Sequence, residues 1–125
     1  MSNILLVTNH VAEGAITLNR IVKYGATDRG ILQAAAATDF MFGTCMESGA
    51  ATGERQDVAR AGIGWVEAGA AVPRGSPITS DASGRAIVAA PAAGANVRIV
   101  GFADESAAAA GDVIRYTIEP GLMQG

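Results

Sequence analysis

The sequence predicts an all-β protein: a compact β-barrel or β-sandwich built from two similar β units and preceded by an N-terminal arm. Three observations favour this fold class. The chain contains an internal repeat, its apolar composition is biased towards β-branched residues, and its apolar segments are short and bounded by turn residues. Short turns, or helices of a single turn, are expected to connect the strands.

The internal repeat relates Phe42–Ile63 to Val97–Ile118. At a spacing of 58, the matched residues are Gly43 and Gly101, Glu47-Ser48 and Glu105-Ser106, and Gly53 and Gly111. After a slip of three residues, the match resumes with Val58 on Val113, Arg60 on Arg115 and Ile63 on Ile118. Upstream, residues 26–32 match residues 82–88 at a spacing of 56. Two copies are too few for a solenoid. We therefore interpret residues 16–121 as one β domain with pseudo-repeats at 16–66 and 72–118.

The composition supports β structure and indicates a modest core. Isoleucine and valine together supply 20 residues, whereas leucine supplies five. β-Branched side chains fit a pleated, half-buried surface better than a helix. Alanine (26 residues) and glycine (16 residues) fill little volume, and large aromatic residues are few. We therefore expect oligomerisation or a docking surface to supply additional burial.

The charge pattern argues against nucleic acid as a partner. Nine basic and twelve acidic residues give a net charge of −3, without a run of like charge. Phosphate binding requires a concentrated basic patch. Eight of the nine basic residues are arginine, which suits planar, partly desolvated pairing. A coding sequence rich in G and C explains this excess equally well.

Cysteine content and the first residues indicate a soluble protein made in a cytoplasm. Cys45 is the single cysteine, which excludes an internal disulfide and a cysteine-only metal site in one chain, and its apolar surroundings favour a buried, inert thiol. The N-terminal region has no basic segment, and Ile4–Val7 is too short for a signal peptide or a membrane span.

The first half of the chain yields an arm and four strands. Residues 1–15 form the arm, whose strand Ile4–Val7 either completes the domain's own sheet or adds to the sheet edge of a partner. The following segments are a hairpin of 16–24 and 31–33 around the turn residues 25–30, a loop or single turn at 34–39, and strands at 40–46 and 58–66 separated by a glycine-rich loop.

The second half repeats this order. The two prolines in Val72–Pro77 argue against a central strand there. A second hairpin pairs Ile78-Thr79 with Arg85–Ala89, and its Asp-x-Ser-Gly turn supplies an Asx-type bond and a residue that tolerates positive φ. A strand at 97–103, a loop or helical turn at 104–111 and a strand at 113–118 follow. Pro120-Gly121 is expected to end the last strand and to leave residues 122–125 as an apolar tail.

The sequence offers no catalytic set, metal site or cofactor site. Catalysis needs a nucleophile beside a base, or an acid and a base with separated pKa values. His10 is the only histidine and could complete at most half of a metal site with Cys45, so we expect it at the surface or at an interface. The glycine-rich stretch 49–55 lacks the Gly-Lys-Ser/Thr ending of a phosphate loop. Trp65, in the segment Gly62-Ile63-Gly64-Trp65-Val66, is more typical of a core or subunit contact than of a ligand platform.

The order and spacing of several short motifs resemble the small capsid decoration, or cement, proteins of tailed phages. The resemblance covers about residues 16–121. Its motifs are Arg20–Gly25, Gln33-Ala34 with Thr38-Asp39 and Phe42-Gly43, Val58–Ile63, Ala68-Gly69, Arg74–Ala86, Ile99–Ala103 and Ala110–Asp112.

The resemblance implies a structural protein without enzymatic activity on the outer surface of an icosahedral phage head. Its implied partners are the major capsid protein and further copies of itself, usually as a homotrimer and in some relatives as a dimer, with neither nucleic acid nor membrane involved. Synthesis is expected in the bacterial host cytoplasm. The implied arm pairs with an edge strand of the coat protein. Residues expected to contact a partner or neighbouring subunit are Ile4, Leu5, Leu6, Val7, His10, Trp65, Leu122 and Met123.

Two other functions remain open at this point. The first is a small β-barrel module that binds a carbohydrate or another ligand, with Trp65 as its platform. The second is an enzyme with a site shared between subunits. Deletion of residues 1–8 is expected to abolish head binding and to leave the fold intact.

Overall fold

The structure, a computed structural model, describes residues 3–125, which form nine β-strands and no helix. The strands are β1 (Asn3–Ala12), β2 (Ile21–Tyr24), β3 (Gly30–Gln33), β4 (Met41–Cys45), β5 (Arg55–Glu67), β6 (Pro77–Ser80), β7 (Ala86–Val88), β8 (Asn96–Ala103) and β9 (Val113–Gln124). This architecture confirms the predicted all-β class. The predicted arm begins at residue 1, and its first two residues lie outside the described range. Across residues 3–125 there is no helix with the length and apolar character needed to span a membrane.

The strands form one sheet in the order β1-β3-β2-β4-β5-β9-β8-β6-β7, and an additional pairing joins β1 to β5. The first five strands therefore close into a ring. β5 pairs with β1 over residues 55–63 and with β9 over residues 62–67. Beyond β9, the sheet continues through β8 and β6 to β7. A parallel bridge joins Ala86, the first residue of β7, to Ala68, which directly follows β5. β5 thus belongs to two successive groups of five strands.

The second group repeats the ladder registers of the first. Thr44 pairs with Ala59, and Phe102 pairs with Thr117, so β4 and β5 correspond to β8 and β9 at a spacing of 58. Val22 pairs with Gly43 as Ile78 pairs with Gly101, which relates β2 to β6 at a spacing of 56.

β1 occupies in the first group of strands the position that β5 occupies in the second group. Val11 pairs with Arg55 as Glu67 pairs with Val113. We name β1–β5 the first unit and β5–β9 the second unit, with β5 common to both. The boundaries at residues 16, 66 and 72 therefore do not follow the strand pairing, because β1 lies within the first unit and not before it.

Two details of the sequence alignment are wrong. The registers keep the spacing of 58 through β5 and β9, so Val58 corresponds to Tyr116 and the slip of three residues does not occur. At the hairpins, Tyr24 pairs with Ile31 and Ser80 pairs with Ala86, which gives β3 and β7 a spacing of 55. The second turn is one residue shorter than the first.

Most predicted strands are present, and both hairpins are confirmed. The second turn is built as expected, since the Asp81 side chain accepts hydrogen bonds from the amides of Ser83 and Arg85 and Gly84 has φ of 74°. The alternation in the last strand is also confirmed, with Ile114, Tyr116 and Ile118 buried.

The expected end of β9 at Pro120 is wrong, because the strand continues to Gln124. Between the pairs Gly101–Ile118 and Ile99–Gly121, Glu119 and Pro120 of β9 lie opposite the single residue Val100 of β8. This arrangement is a β-bulge, which accommodates a proline that cannot donate to the ladder. Residues 122 and 123 consequently lie in β9 and not in a tail.

Residues 3–125 form two apolar clusters in the interior. The smaller cluster fills the first ring and includes Phe42, Val22 and Val58. The larger cluster extends into the second unit and includes Tyr116, which is fully buried. The Tyr116 hydroxyl lies 3.1 Å from Thr44 Oγ1, so its polar atom has a partner within the core.

Candidate docking surface

β1 presents an apolar strand with one free backbone edge. Leu5, Leu6 and Val7 have exposed fractions of 83%, 48% and 43%. β1 pairs with β5 on one side, but among the described residues its pairing with β3 covers only Val11 and Ala12. The other edge of residues 3–10 is therefore open. Such an edge is a template for pairing with another chain.

Ile4, the fourth predicted contact residue of this strand, points the other way. It is partly buried and packs against the larger core cluster. Ile4 and Trp65 both line a cavity of about 240 Å³ beside Thr44 and Met46. Trp65 lies on β5 opposite Arg115, and 39% of it is exposed. The structure therefore brings Ile4 and Trp65 together but separates them from the outward side chain of Leu5.

Leu122 and Met123 lie near the end of β9, opposite Arg98 and Val97 of β8. Leu122 is 61% exposed, and Met123 is half-buried. Their strand is separated from β1 in the sheet by β5. The predicted contact residues thus do not form one continuous patch along a single strand.

His10 is buried, with 7% of it exposed, so its predicted surface position is wrong. Its Nε2 lies 2.6 Å from Thr8 Oγ1, and its ring centroid lies 5.4 Å from that of Phe42. Burial, together with the nearby charge of Arg60, lowers the pKa of His10 below its ordinary value. The ladder registers make His10 of the first unit equivalent to Val66 of the second unit, and both residues face the interior.

The thiol of Cys45 is buried, as expected. It donates to the carbonyl oxygen of Thr17 at 2.8 Å, and burial raises the pKa of the thiol. Within residues 3–125, no group of three or more His, Cys, Asp or Glu side chains is arranged to hold a metal ion.

Sequence reasoning missed a cluster of aromatic and arginine side chains. Its members are Tyr24, Phe40, Phe42, Arg60 and Arg98, and they line a cavity of about 350 Å³. The rings of Tyr24 and Phe42 stack with centroids 4.3 Å apart, and Arg60 lies 4.7 Å above Phe42. Arg98 lies 4.3 Å above Phe40. The excess of arginine over lysine was the one available signal, and it carried no information about which residues meet.

The described residues thus present an exposed apolar strand edge on β1 and an open cavity lined by aromatic and arginine side chains. A family model described as phage cement protein matches residues 2–118, and the chain belongs to this family. It is a capsid decoration protein. The crystal structure of the N base of head fiber gp8.5 of bacteriophage phi29 has a similar fold, with a TM-score of 0.68 and 19% sequence identity over 91% of this chain and 93% of that chain. No curated protein matches the sequence.

Proposed function

We propose that this protein binds the outer surface of an icosahedral phage head and stabilises the head by bridging neighbouring coat-protein subunits. Membership of the cement family supports a place on the capsid. The observation that carries the docking mode is the free edge of β1, with its outward side chains Leu5, Leu6 and Val7. In this proposal, the protein is synthesised in the host cytoplasm before it decorates the head.

The β1 edge can contribute in two ways. Its free amides and carbonyls can pair with an edge strand of the coat protein, while its apolar side chains lose water. Full burial of one leucine side chain contributes about 1.5–3 kcal/mol. Each contact is modest, but one decoration protein that touches two coat subunits gains effective concentration for the second contact. Added interface area would then resist the pressure of the packaged genome.

We further propose self-association, as a homotrimer or alternatively as a dimer. The monomer leaves several large apolar side chains exposed away from β1, including Leu122 at 61% and Trp65 at 39%. We assign Trp65, Leu122 and Met123 to contacts between neighbouring copies or with the coat. His10 has too little exposed surface for direct contact, and its proposed part is to hold β1 in place.

Co-sedimentation with expanded, undecorated heads tests the proposal. We expect saturation at a number of copies fixed by the icosahedral lattice, and this number distinguishes threefold from twofold positions. Failure of the protein to sediment with the heads at native salt would contradict the proposal.

A matched pair of substitutions tests the β1 edge. Val7 and Val113 are equally exposed, at 43%, on different strands. We expect Val7→Lys to weaken head binding at least tenfold and Val113→Lys to leave it near that of the native protein. Deletion of residues 1–8 is less informative than the sequence suggested, because β1 closes the first ring through its ladder with β5. Equal binding by both variants would exclude the β1 edge.

A further inference from the structure

The cavity between the two units contains two arginines that converge on one open space. Arg60 comes from β5 and Arg98 from β8, and Pro120 and Gly121 of β9 complete the wall. Tyr24 and Phe40, at 50% and 60% exposed, stand at its mouth. The cavity volume of about 350 Å³ accommodates a side chain with part of its backbone.

Stacking leaves the hydrogen-bond donors of both arginines available. A guanidinium that lies over an aromatic ring keeps its N–H groups in the plane of the fork, where they match a carboxylate. Arg60 Nη2 donates to Tyr24 Oη at 2.9 Å, so the Tyr24 hydroxyl proton remains free for another acceptor. Among the described residues, the Arg98 guanidinium has no hydrogen-bond partner.

The charge of this cavity is unbalanced within the described part of the chain. Arg20, Arg85 and Arg115 form ion pairs with carboxylates, as does Lys23. Neither Arg60 nor Arg98 forms an ion pair with a described residue, although the chain carries an excess of acidic residues. Two unneutralised guanidinium groups that line the same cavity favour an anion, and a planar carboxylate fits their forks best.

We propose that this cavity binds an aspartate or glutamate side chain on an exposed segment of the coat protein. This proposal rests on the proposed function, since it names a second contact with the same partner. The two Phe rings hold the guanidinium groups in place before binding, which reduces the entropy lost on association. Because the cavity has walls from both units, the bound acidic segment would also connect the first unit to the second.

The first test uses the isolated protein and a capped peptide of alternating glycine and glutamate. We expect the Nε–Hε signals of Arg60 and Arg98 and the ring signals of Tyr24 to shift saturably in NMR spectra. The matched peptide with glutamine is expected to shift none of them. Arg74, which is exposed and lies outside this cavity, serves as the internal control. Absence of saturable shifts at Arg60 and Arg98, or equal shifts at Arg74, would overturn the proposal.

The second test measures affinity for undecorated heads. A hydrogen bond to a charged group corresponds to about a tenfold to hundredfold change in affinity. We expect a loss of this size for Arg98→Gln and for Arg60→Gln, and native affinity for Arg74→Gln. Thermal unfolding of each variant establishes that it is folded, and the two cavity variants provide independent tests.

The two proposals fail in different ways. If the native protein does not bind heads, the capsid function is wrong, and the peptide titration still decides whether the cavity is an acidic-group site. If Arg60→Gln and Arg98→Gln are folded and bind heads as tightly as the native protein, the cavity proposal is wrong and the capsid function stands.

Discussion

The two units share a backbone plan but use different side chains at equivalent positions. In the first unit, His10 and Val58 face the interior, and their counterparts in the second unit are Val66 and Tyr116. Tyr24 corresponds to Ser80, and Phe42 corresponds to Val100. The strand registers therefore do not depend on the identity of the large side chains. Each unit instead achieves close packing of its core with a different set of side chains.

Two pairs of glycines are the same in both units, because the backbone at each position restricts which residue it can carry. Gly43 and Gly101 occupy equivalent places, and a β-carbon on either would collide with the carbonyl oxygen of a neighbouring strand. Gly53 and Gly111 share positive φ values of 88° and 97°. The backbone restricts the residue type at these glycine positions but not at most side-chain positions. Aromatic and arginine side chains could therefore be placed around the cavity of Arg60 and Arg98 without a change in the strand registers.

The largest expected effect comes from the core residue that distinguishes the units. Tyr116→Ala should lower the free energy of unfolding by about 4 kcal/mol, because it removes a fully buried ring. Val58→Ala, at the equivalent position, should cost about 2 kcal/mol. Urea denaturation measures both. Equal losses would contradict the view that the larger side chain of the second unit carries more of the core.

The glycine pair tests the shared backbone plan. Gly43→Ala and Gly101→Ala should each cost about 3 kcal/mol, because each added methyl group meets a backbone oxygen, of Ala59 or Thr117. Gly121→Ala is the control, since its β-carbon would approach no atom closer than 3.8 Å. Thermal unfolding measures all three. A near-native Gly101→Ala variant beside a destabilised Gly43→Ala variant would show that the two ladders are not equivalent.

The repeat also shows which parts of the fold were visible in the sequence. Glycines and turn residues carry a local conformational requirement, so Gly43 and Gly101 indicated that the chain contains two similar β units, and the Asp81 turn located the second hairpin. The equivalence of β1 and β5 could not be recognised in the sequence. Equivalent residues such as His10 and Val66 are both buried, but their side chains are chemically unlike. The match of Arg60 to Arg115 depended on residue identity alone, whereas the ladder registers make Ile118 the counterpart of Arg60 in the second unit.

The candidate sites show the same limit. The apolar run Ile4–Val7 predicted a strand that either completes the domain's own sheet or adds to the sheet edge of a partner. The side on which each of its residues lies depended on the pairing with β5, which the sequence does not specify. Ile4 and His10 face the interior for this reason. The cavity of Arg60 and Arg98 required contacts between β2, β4, β5 and β8, and no local pattern marks residues that meet only after the ladders have formed.

The hairpin turns differ in how they are capped. In the second unit, Asp81 caps its own turn, whereas in the first unit the carboxylate of Glu13 accepts from the amides of Ala26 and Thr27 at 2.8 and 3.0 Å. Asp81→Ala should cost about 1 kcal/mol.

Glu13→Gln should have a smaller effect that depends on pH. The amide of Ala26, followed by Thr27, holds the pKa of Glu13 below its ordinary 4.5. Its contribution is therefore present above pH 4.5 and is lost as the pH falls through the lowered pKa. Urea titrations at several pH values measure this difference, and a native pH profile for Glu13→Gln would contradict it.

The smallest expected effect concerns His10, which replaces the apolar Val66 of the second unit. Because burial and Arg60 lower the pKa of His10 below 6.5, the unfolded chain binds a proton more readily than the folded chain does. Stability is therefore complete above pH 6.5 and falls as the pH decreases from 6.5 towards the lowered pKa. His10→Val should remove this part of the pH dependence and should change stability at pH 8 by less than about 1 kcal/mol. Urea midpoints at pH 5 and pH 8 measure both values. An unchanged difference between the two midpoints in His10→Val would place the acid sensitivity outside the first unit's buried histidine.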